Sequence, residues 1–253
     1  MSLIFKNRKV YAVVISYNSS AVLGKLYERI NKDIFDKIFF FDDSSIDGSA
    51  EKAKKYKWKI IKNKKNLGHG GNLKKALIKA FKEGADYVVE VHADNQYNPN
   101  SILKAKKFIN EDYDLIIGSR FIKKNPWLDD DMPFIRFMTN KFLSIFTNLF
   151  LKKKLSEFHT GYKIFSKKFY HSVPFKYNSN DYLFSFEVIM QAAFFNLKYG
   201  EISISTNYRR YSSSCNYFKG FIYILGNLKV ITFFLLASLD LIKISIFKRK
   251  KVE

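Results

Sequence analysis

Short apolar runs alternate with segments of helical period through the first half of the chain. Runs of β-branched and aromatic residues predict strands over 9–16 (KVYAVVIS), 37–41 (KIFFF), 58–62, 87–91 (YVVEV) and 114–118 (DLIIG). Between them, apolar residues three and four apart predict helices over 21–31, 49–56, 72–83 and 101–109. Residues 66–71 (NLGHGG) read as a glycine-rich loop before the third helix. Further on, 186–195 reads as a helix and 201–207 (EISISTN) as a strand. Strict strand–helix alternation predicts an α/β fold with a doubly wound, mostly parallel central sheet.

Ligands of such sheets bind beyond the carboxyl ends of the strands. Here those ends are polar. Tyr17 and Asn18 follow the first strand, Asp42 and Asp43 the second, and His92-Ala93-Asp94-Asn95-Gln96 the fourth. Carboxylates gathered at one sheet edge repel a phosphate unless a divalent cation lies between them. Mg²⁺ or Mn²⁺ takes hard oxygen ligands and neutralises a diphosphate. The aspartates have a second reading as turn or helix-cap residues, and Asp47-Gly48 belongs mainly to that one.

The second half carries two apolar, basic stretches. Residues 134–176 hold nine basic residues and one acidic residue, Glu157, around the segment FIRFMTNKFLSIFTNLFL. That segment reads either as a membrane-surface helix or as a buried helix with solvated ends. Residues 230–247 (VITFFLLASLDLIKISIF) precede KRKK. They are interrupted by Asp240 and Lys243, which predicts an interfacial or docking helix in place of a membrane span.

Composition narrows the classes. The chain has 253 residues and a formal net charge of +21, with 47% hydrophobic and 17% aromatic residues, which excludes a disordered basic tail. One cysteine, Cys215, excludes a disulfide scaffold or a cysteine-based zinc site and fits a reducing compartment. The charge suits a phosphate-bearing partner or an anionic membrane surface. No nucleic acid partner is expected, because no RRM, OB or helix-turn-helix signature accompanies the charge. A dinucleotide or nucleotidyl-transfer site would want a glycine-rich loop after the first strand, where the chain has SYNSS.

Taken in order, five segments resemble the inverting nucleotide-sugar glycosyltransferases of family 2. These are Ile15-Ser16-Tyr17-Asn18-Ser19, Asp42-Asp43-Ser44-Ser45-Ile46-Asp47-Gly48-Ser49, Asn66 to Asn72, His92 to Pro99, and Gly118-Ser119-Arg120. His159-Thr160-Gly161-Tyr162-Lys163 and residues 181–187 (DYLFSFE) resemble the branch that includes the dolichyl-phosphate mannose synthases. The resemblance implies a GT-A (Rossmann-like) fold over 1–220, followed by a C-terminal amphipathic, basic, membrane-proximal helical segment over 221–253.

It implies a nucleotide-diphosphate sugar (UDP- or GDP-sugar) held by Tyr17, Asn18, Asp42, Asp43, Gly68, Asn72 and Asp94. A divalent metal, Mn²⁺ or Mg²⁺, would be held by Asp94 and Gln96, with His92 and His159 as further ligand candidates. His92 stands where the family has aspartate; it reads equally as a polar residue ending the strand. Asp181 matches the family's general base, with Glu187 to orient it or a neighbour, and reads equally as a helix cap. Arg209 and Arg210 would meet a diphosphate or acceptor phosphate. The implied reaction is sugar transfer to a membrane lipid or lipid-linked acceptor, polyprenyl phosphate above all. A soluble hydroxyl acceptor is the alternative. The expected place is cytoplasmic, peripheral to the membrane face.

Overall fold

In the computed structural model, described for residues 5–122, 125–206 and 217–248, the alternating runs form one seven-stranded sheet. Its strands are β1 (Val10–Ser16), β2 (Lys37–Asp42), β3 (Lys59–Lys62), β4 (Tyr87–His92), β5 (Leu115–Ser119), β6 (Lys163–Ser166) and β7 (Tyr199–Ser203). They lie in the order β3-β2-β1-β4-β6-β5-β7, and within this sheet only β6 is antiparallel to its neighbours. The helices are α1 (Ser20–Arg29), α2 (Ser49–Lys54), α3 (Gly68–Lys82), α4 (Lys106–Asn110), α5 (Pro126–Asp129), α6 (Phe134–Asn148), α7 (Lys167–Ser172), α8 (Phe184–Phe194) and α9 (Tyr217–Ser238).

Side chains alternate across the sheet with period two, so each strand feeds two cores. Val13, Phe39, Phe41 and Val88 pack with Leu73 and Leu77 of α3 and with Phe184 and Val188 of α8. Val10, Ala12, Val14, Phe40 and Val89 pack on the other face with Leu23 and Leu26 of α1 and with Ile102 and Ile109. The chain leaves β1 toward β2 and β3, then returns to the opposite side of β1 as β4. That reversal opens a crevice above the carboxyl ends of β1, β2 and β4.

Three elements depart from the sequence pattern. β6 is only four residues long and carries Lys163 at a buried position, so its apolar period is broken. The glycine-rich segment is not wholly a loop, because α3 already begins at Gly68. The C-terminal helix starts earlier than 230 and ends at Ser238, running across the 220/221 boundary. Asp240, with φ +54°, and Lys243 therefore lie in a turn. Beyond it Ile246 and Phe247 fold back into the α8 core, where Gln191 Nε2 donates to the Ile246 carbonyl at 2.7 Å. Among the described residues, Phe218–Ser238 is the one helix long and apolar enough to cross a membrane by length and composition.

Candidate active site

The β1 and β2 ends are laced together by their loops. Asn18, with φ +47°, donates its N–H to Ser45 Oγ (2.9 Å), and its Oδ1 accepts from the N–H of Ile46 (3.1 Å). Tyr17 beside it is 55% exposed. Asp42 is wholly buried. Its Oδ2 accepts from the N–H of Ser45 (3.1 Å), while Oδ1 has no hydrogen-bond partner among the described residues. A sealed carboxylate oxygen without a donor is costly, and a ribose hydroxyl or base N–H would supply one. Asp47 serves the turn, accepting from the N–H groups of Ser20 and Ser49.

Asp43 faces inward. Its Oδ1 accepts from Asn63 Nδ2 and from the N–H of Leu67, both at 2.8 Å. Asn63 Nδ2 also donates to Asn72 Oδ1 (2.9 Å), and Asn72 Nδ2 donates to the Phe41 carbonyl (3.0 Å). Asn72 is wholly buried with both amide atoms engaged, so it sits behind the crevice as scaffold and not on its surface.

The glycines seat another segment. A Cβ on Gly68 (φ +76°) would stand 2.5 Å from the Asn180 carbonyl oxygen, and one on Gly70 would stand 2.5 Å from that of Ser179. The N–H of Gly71 donates to the Asn180 carbonyl at 3.1 Å. Only bare backbone lets residues 179–184 approach the start of α3 this closely. Glu187, buried in the first turn of α8, accepts from both the N–H and Oγ of Ser179 at 2.8 Å. Burial raises its pKa, against the two Ser179 bonds. Asp181 is exposed, and its Oδ1 accepts from the N–H of Leu183 (2.8 Å) at the approach to α8. Glu187 thus holds Ser179, while Asp181 caps the turn at the crevice mouth.

At the β4 end, Asp94 Oδ1 accepts from the N–H of Gln96 (2.9 Å), and both side chains are half-buried. His92 Nε2 lies 2.9 Å from Glu90 Oε1 and 3.2 Å from the Gly161 carbonyl. Gly161 has to be glycine, since a Cβ there would meet the His92 ring at 2.4 Å. Glu90 is wholly buried, and His69 Nε2 lies 3.2 Å from the same Oε1. Burial works against the carboxylate, but the two imidazoles outweigh it and hold the Glu90 pKa well below the usual range. Burial likewise opposes a charged His92, and Glu90 outweighs it to raise that pKa.

His159 is apart from this group. Its Nδ1 is 3.1 Å from the Tyr223 hydroxyl and its ring stacks on Phe186. Burial, then Arg120 and Lys163, brings its pKa down to about 3. A neutral imidazole flanked by two cations is a poor place for a divalent metal, so the geometry argues against His159 as a ligand. Arg120 is buried in a pair with Glu157, whose Oε1 accepts from Nε at 2.7 Å. Arg209 and Arg210 lie outside the described residues. The sequence reading left His69 unassigned and passed over Glu90. A carboxylate in the middle of the otherwise apolar run YVVEV is the signal that marks it.

The model of glycosyl transferase family 2 matches residues 11–173. A UDP-N-acetylglucosamine–dolichyl-phosphate N-acetylglucosaminyltransferase of Methanococcus voltae is 26% identical over 81% of this chain and 88% of its own length. An uncharacterised protein of Methanocaldococcus jannaschii is 29% identical over 81% and 84%. A dolichol-phosphate mannosyltransferase of Pyrococcus furiosus is 33% identical over 53% of this chain and 38% of its own. Among solved structures, glucosyl-3-phosphoglycerate synthase of Mycobacterium tuberculosis in complex with UDP superposes with a TM-score of 0.67 at 14% identity. That match covers 91% of this chain and 83% of the other, and it shows a common fold. The strand-end carboxylates, the GT-A architecture and a family match across more than half of the chain agree: the protein is a glycosyltransferase and belongs to family 2.

Proposed function

We propose that the protein transfers a sugar, with inversion, from a nucleoside-diphosphate sugar to a polyprenyl phosphate at a membrane face. The strand register supports the donor half. Ser16 of β1 pairs with Asp42 on one side and Ile15 with His92 on the other, so the two ends flank β1 about 10 Å apart. That span suits a nucleoside at Asp42, with its unpartnered Oδ1, and a diphosphate toward Asp94. A divalent cation fits there: Asp94 offers carboxylate oxygen and Gln96 an amide oxygen, both hard donors. When bound, it neutralises the diphosphate leaving group. A structural neighbour holds Mn²⁺ with UDP in the same fold.

The single observation that carries the acceptor half is the inverted pattern of α6. This helix buries Asn140, Ser144 and Thr147 and exposes Ile135, Met138, Phe142, Ile145 and Leu149 at alternating three- and four-residue spacing. An outward apolar stripe on a strongly basic protein suits an anionic bilayer surface. Two relatives named for dolichyl-phosphate acceptors favour the same chemistry. A phosphate acceptor is already ionised near neutrality and needs no general base, so Asp181 serves as a cap; a hydroxyl acceptor would use it as the base.

The test is transfer from radiolabelled UDP- and GDP-sugars to short polyprenyl phosphates, with Mn²⁺ or Mg²⁺ supplied. Lipid-linked product of inverted anomeric configuration, lost in Asp94→Asn, is expected. Transfer only to water-soluble hydroxyl acceptors would overturn the lipid reading.

A further inference from the structure

We propose that His69, Glu90 and His92 form a second metal site, set behind the donor site, for a borderline divalent transition ion such as Zn²⁺ or Co²⁺. The inference stands on the cluster's geometry and not on the transfer reading. The three side chains come from two elements, the first turn of α3 and the last half of β4, and their ligand atoms all lie within 4.8 Å of one another. Ligands about 2.0–2.1 Å from a tetrahedral ion stand about 3.3 Å apart. Glu90 Oε1 is 3.2 Å from His69 Nε2 and 2.9 Å from His92 Nε2.

Two further observations point to something held there. The His69 contact is short but makes no hydrogen bond, and Glu90 Oε2 is sealed from solvent; neither atom has a hydrogen-bond partner among the described residues. A buried carboxylate oxygen and a buried ring nitrogen left without partners at one point are expensive unless something binds them. The rings are fixed for the task. Tyr182 stacks on His69 at 5.1 Å, Tyr97 meets His92 edge-on at 5.2 Å, and the Gly161 carbonyl, 3.2 Å from His92 Nε2, offers a further oxygen.

Two imidazoles and one carboxylate select a borderline ion over Mg²⁺ or Ca²⁺. Lys163 opposes the cation from β6, hydrogen-bonded to the Thr160 carbonyl and acting on Glu90 through space. Burial brings its pKa down to about 8. Loss of a proton from the cluster therefore accompanies binding. Asp94, which also acts on His92, favours the cation.

The test uses the full chain in the Asp94→Asn background, which removes the donor-site carboxylate. Chelator-treated protein is titrated with Co²⁺ and followed by visible absorption. One equivalent with the intense bands of a four- or five-coordinate ion, retained under excess Mg²⁺, is expected. Adding His69→Ala weakens Co²⁺ binding about tenfold or more and leaves the metal-free melting temperature nearly unchanged, since His69 sits in the first helical turn. Glu90→Gln abolishes the bands. Absence of Co²⁺ bands, weak octahedral bands alone, or a spectrum indifferent to His69→Ala would overturn the site and leave the triad a hydrogen-bonded cluster.

Discussion

Glu187 grips Ser179 through two hydrogen bonds of 2.8 Å, one to the backbone N–H and one to Oγ. Because Ser179 and Asn180 pack on Gly68 and Gly70, this grip sets where residues 179–181 meet the crevice. Ser179→Ala removes one bond and should cost about 0.5–1.5 kcal/mol; Glu187→Gln strands more of the network and should cost about 1–3 kcal/mol. Turnover should fall in the same order when measured well below the melting temperature. Normal kcat and KM in a destabilised Glu187→Gln protein would show that the grip serves folding alone.

Two glycines make a paired prediction. Gly70→Ala would drive a methyl to 2.5 Å from the Ser179 oxygen and 2.7 Å from Phe184 Cβ, an overpacking of about 1–3 kcal/mol that displaces the 179–184 segment. Gly24, inside α1, has only Tyr56 Oη at 3.6 Å, so Gly24→Ala should stabilise by about 0.5–1 kcal/mol. Denaturant unfolding of both variants checks the pair. A loss of stability in Gly24→Ala would mean that α1 packs more tightly than these distances show.

The sheet was legible because its strands are continuous apolar runs broken by polar turn residues. The carboxyl-end aspartates stood out for the same reason. What escaped was settled by tertiary packing. Lys163 interrupts β6 because it faces Glu90 and Glu157 inside the protein, and no local pattern reports that partnership. NLGHGG looks like a loop, yet its glycines open a helix whose close neighbour lies more than a hundred residues away. Asn72 and Asp43 carry family-motif positions, but the hydrogen bonds that turn them toward Asn63 appear only in three dimensions.

Acid sensitivity should trace in part to His159. Its folded pKa, about 3, lies below the unfolded value of 6.5, so between these values the unfolded chain binds the extra proton. Its contribution to stability is present above pH 6.5 and is lost as pH falls toward 3, by at most about 1.4 kcal/mol per unit. Glu187 and Glu201, both raised by burial, act in the opposite sense. The wild-type minus His159→Phe difference isolates the histidine. That difference should shrink or reverse steadily from pH 6.5 to pH 4 in urea unfolding. A difference independent of pH would rule out a buried neutral imidazole.

The outward stripe of α6 should decide membrane affinity. Phe142 and Ile145 are 67% and 57% exposed, one turn apart, while Thr147 and Ser144 on the same helix are buried. Substituting both apolar residues removes no core contact, so Phe142→Glu with Ile145→Glu should leave the melting temperature within a few degrees of wild type. Burying a large apolar side chain in the bilayer is worth about 1.5–3 kcal/mol, and each 1.4 kcal/mol is about tenfold in partitioning. The double variant should therefore bind phosphatidylglycerol-rich vesicles at least about tenfold more weakly. Raising the salt should weaken wild-type binding too, since the +21 net charge contributes through a screened attraction. Phe218, Phe221, Ile222 and Leu225 on α9 form a second exposed apolar set. If α6 carries the contact, Phe221→Glu alone will reduce partitioning less than the α6 pair. Equal binding by wild type and the α6 double variant would move the membrane face elsewhere on the protein.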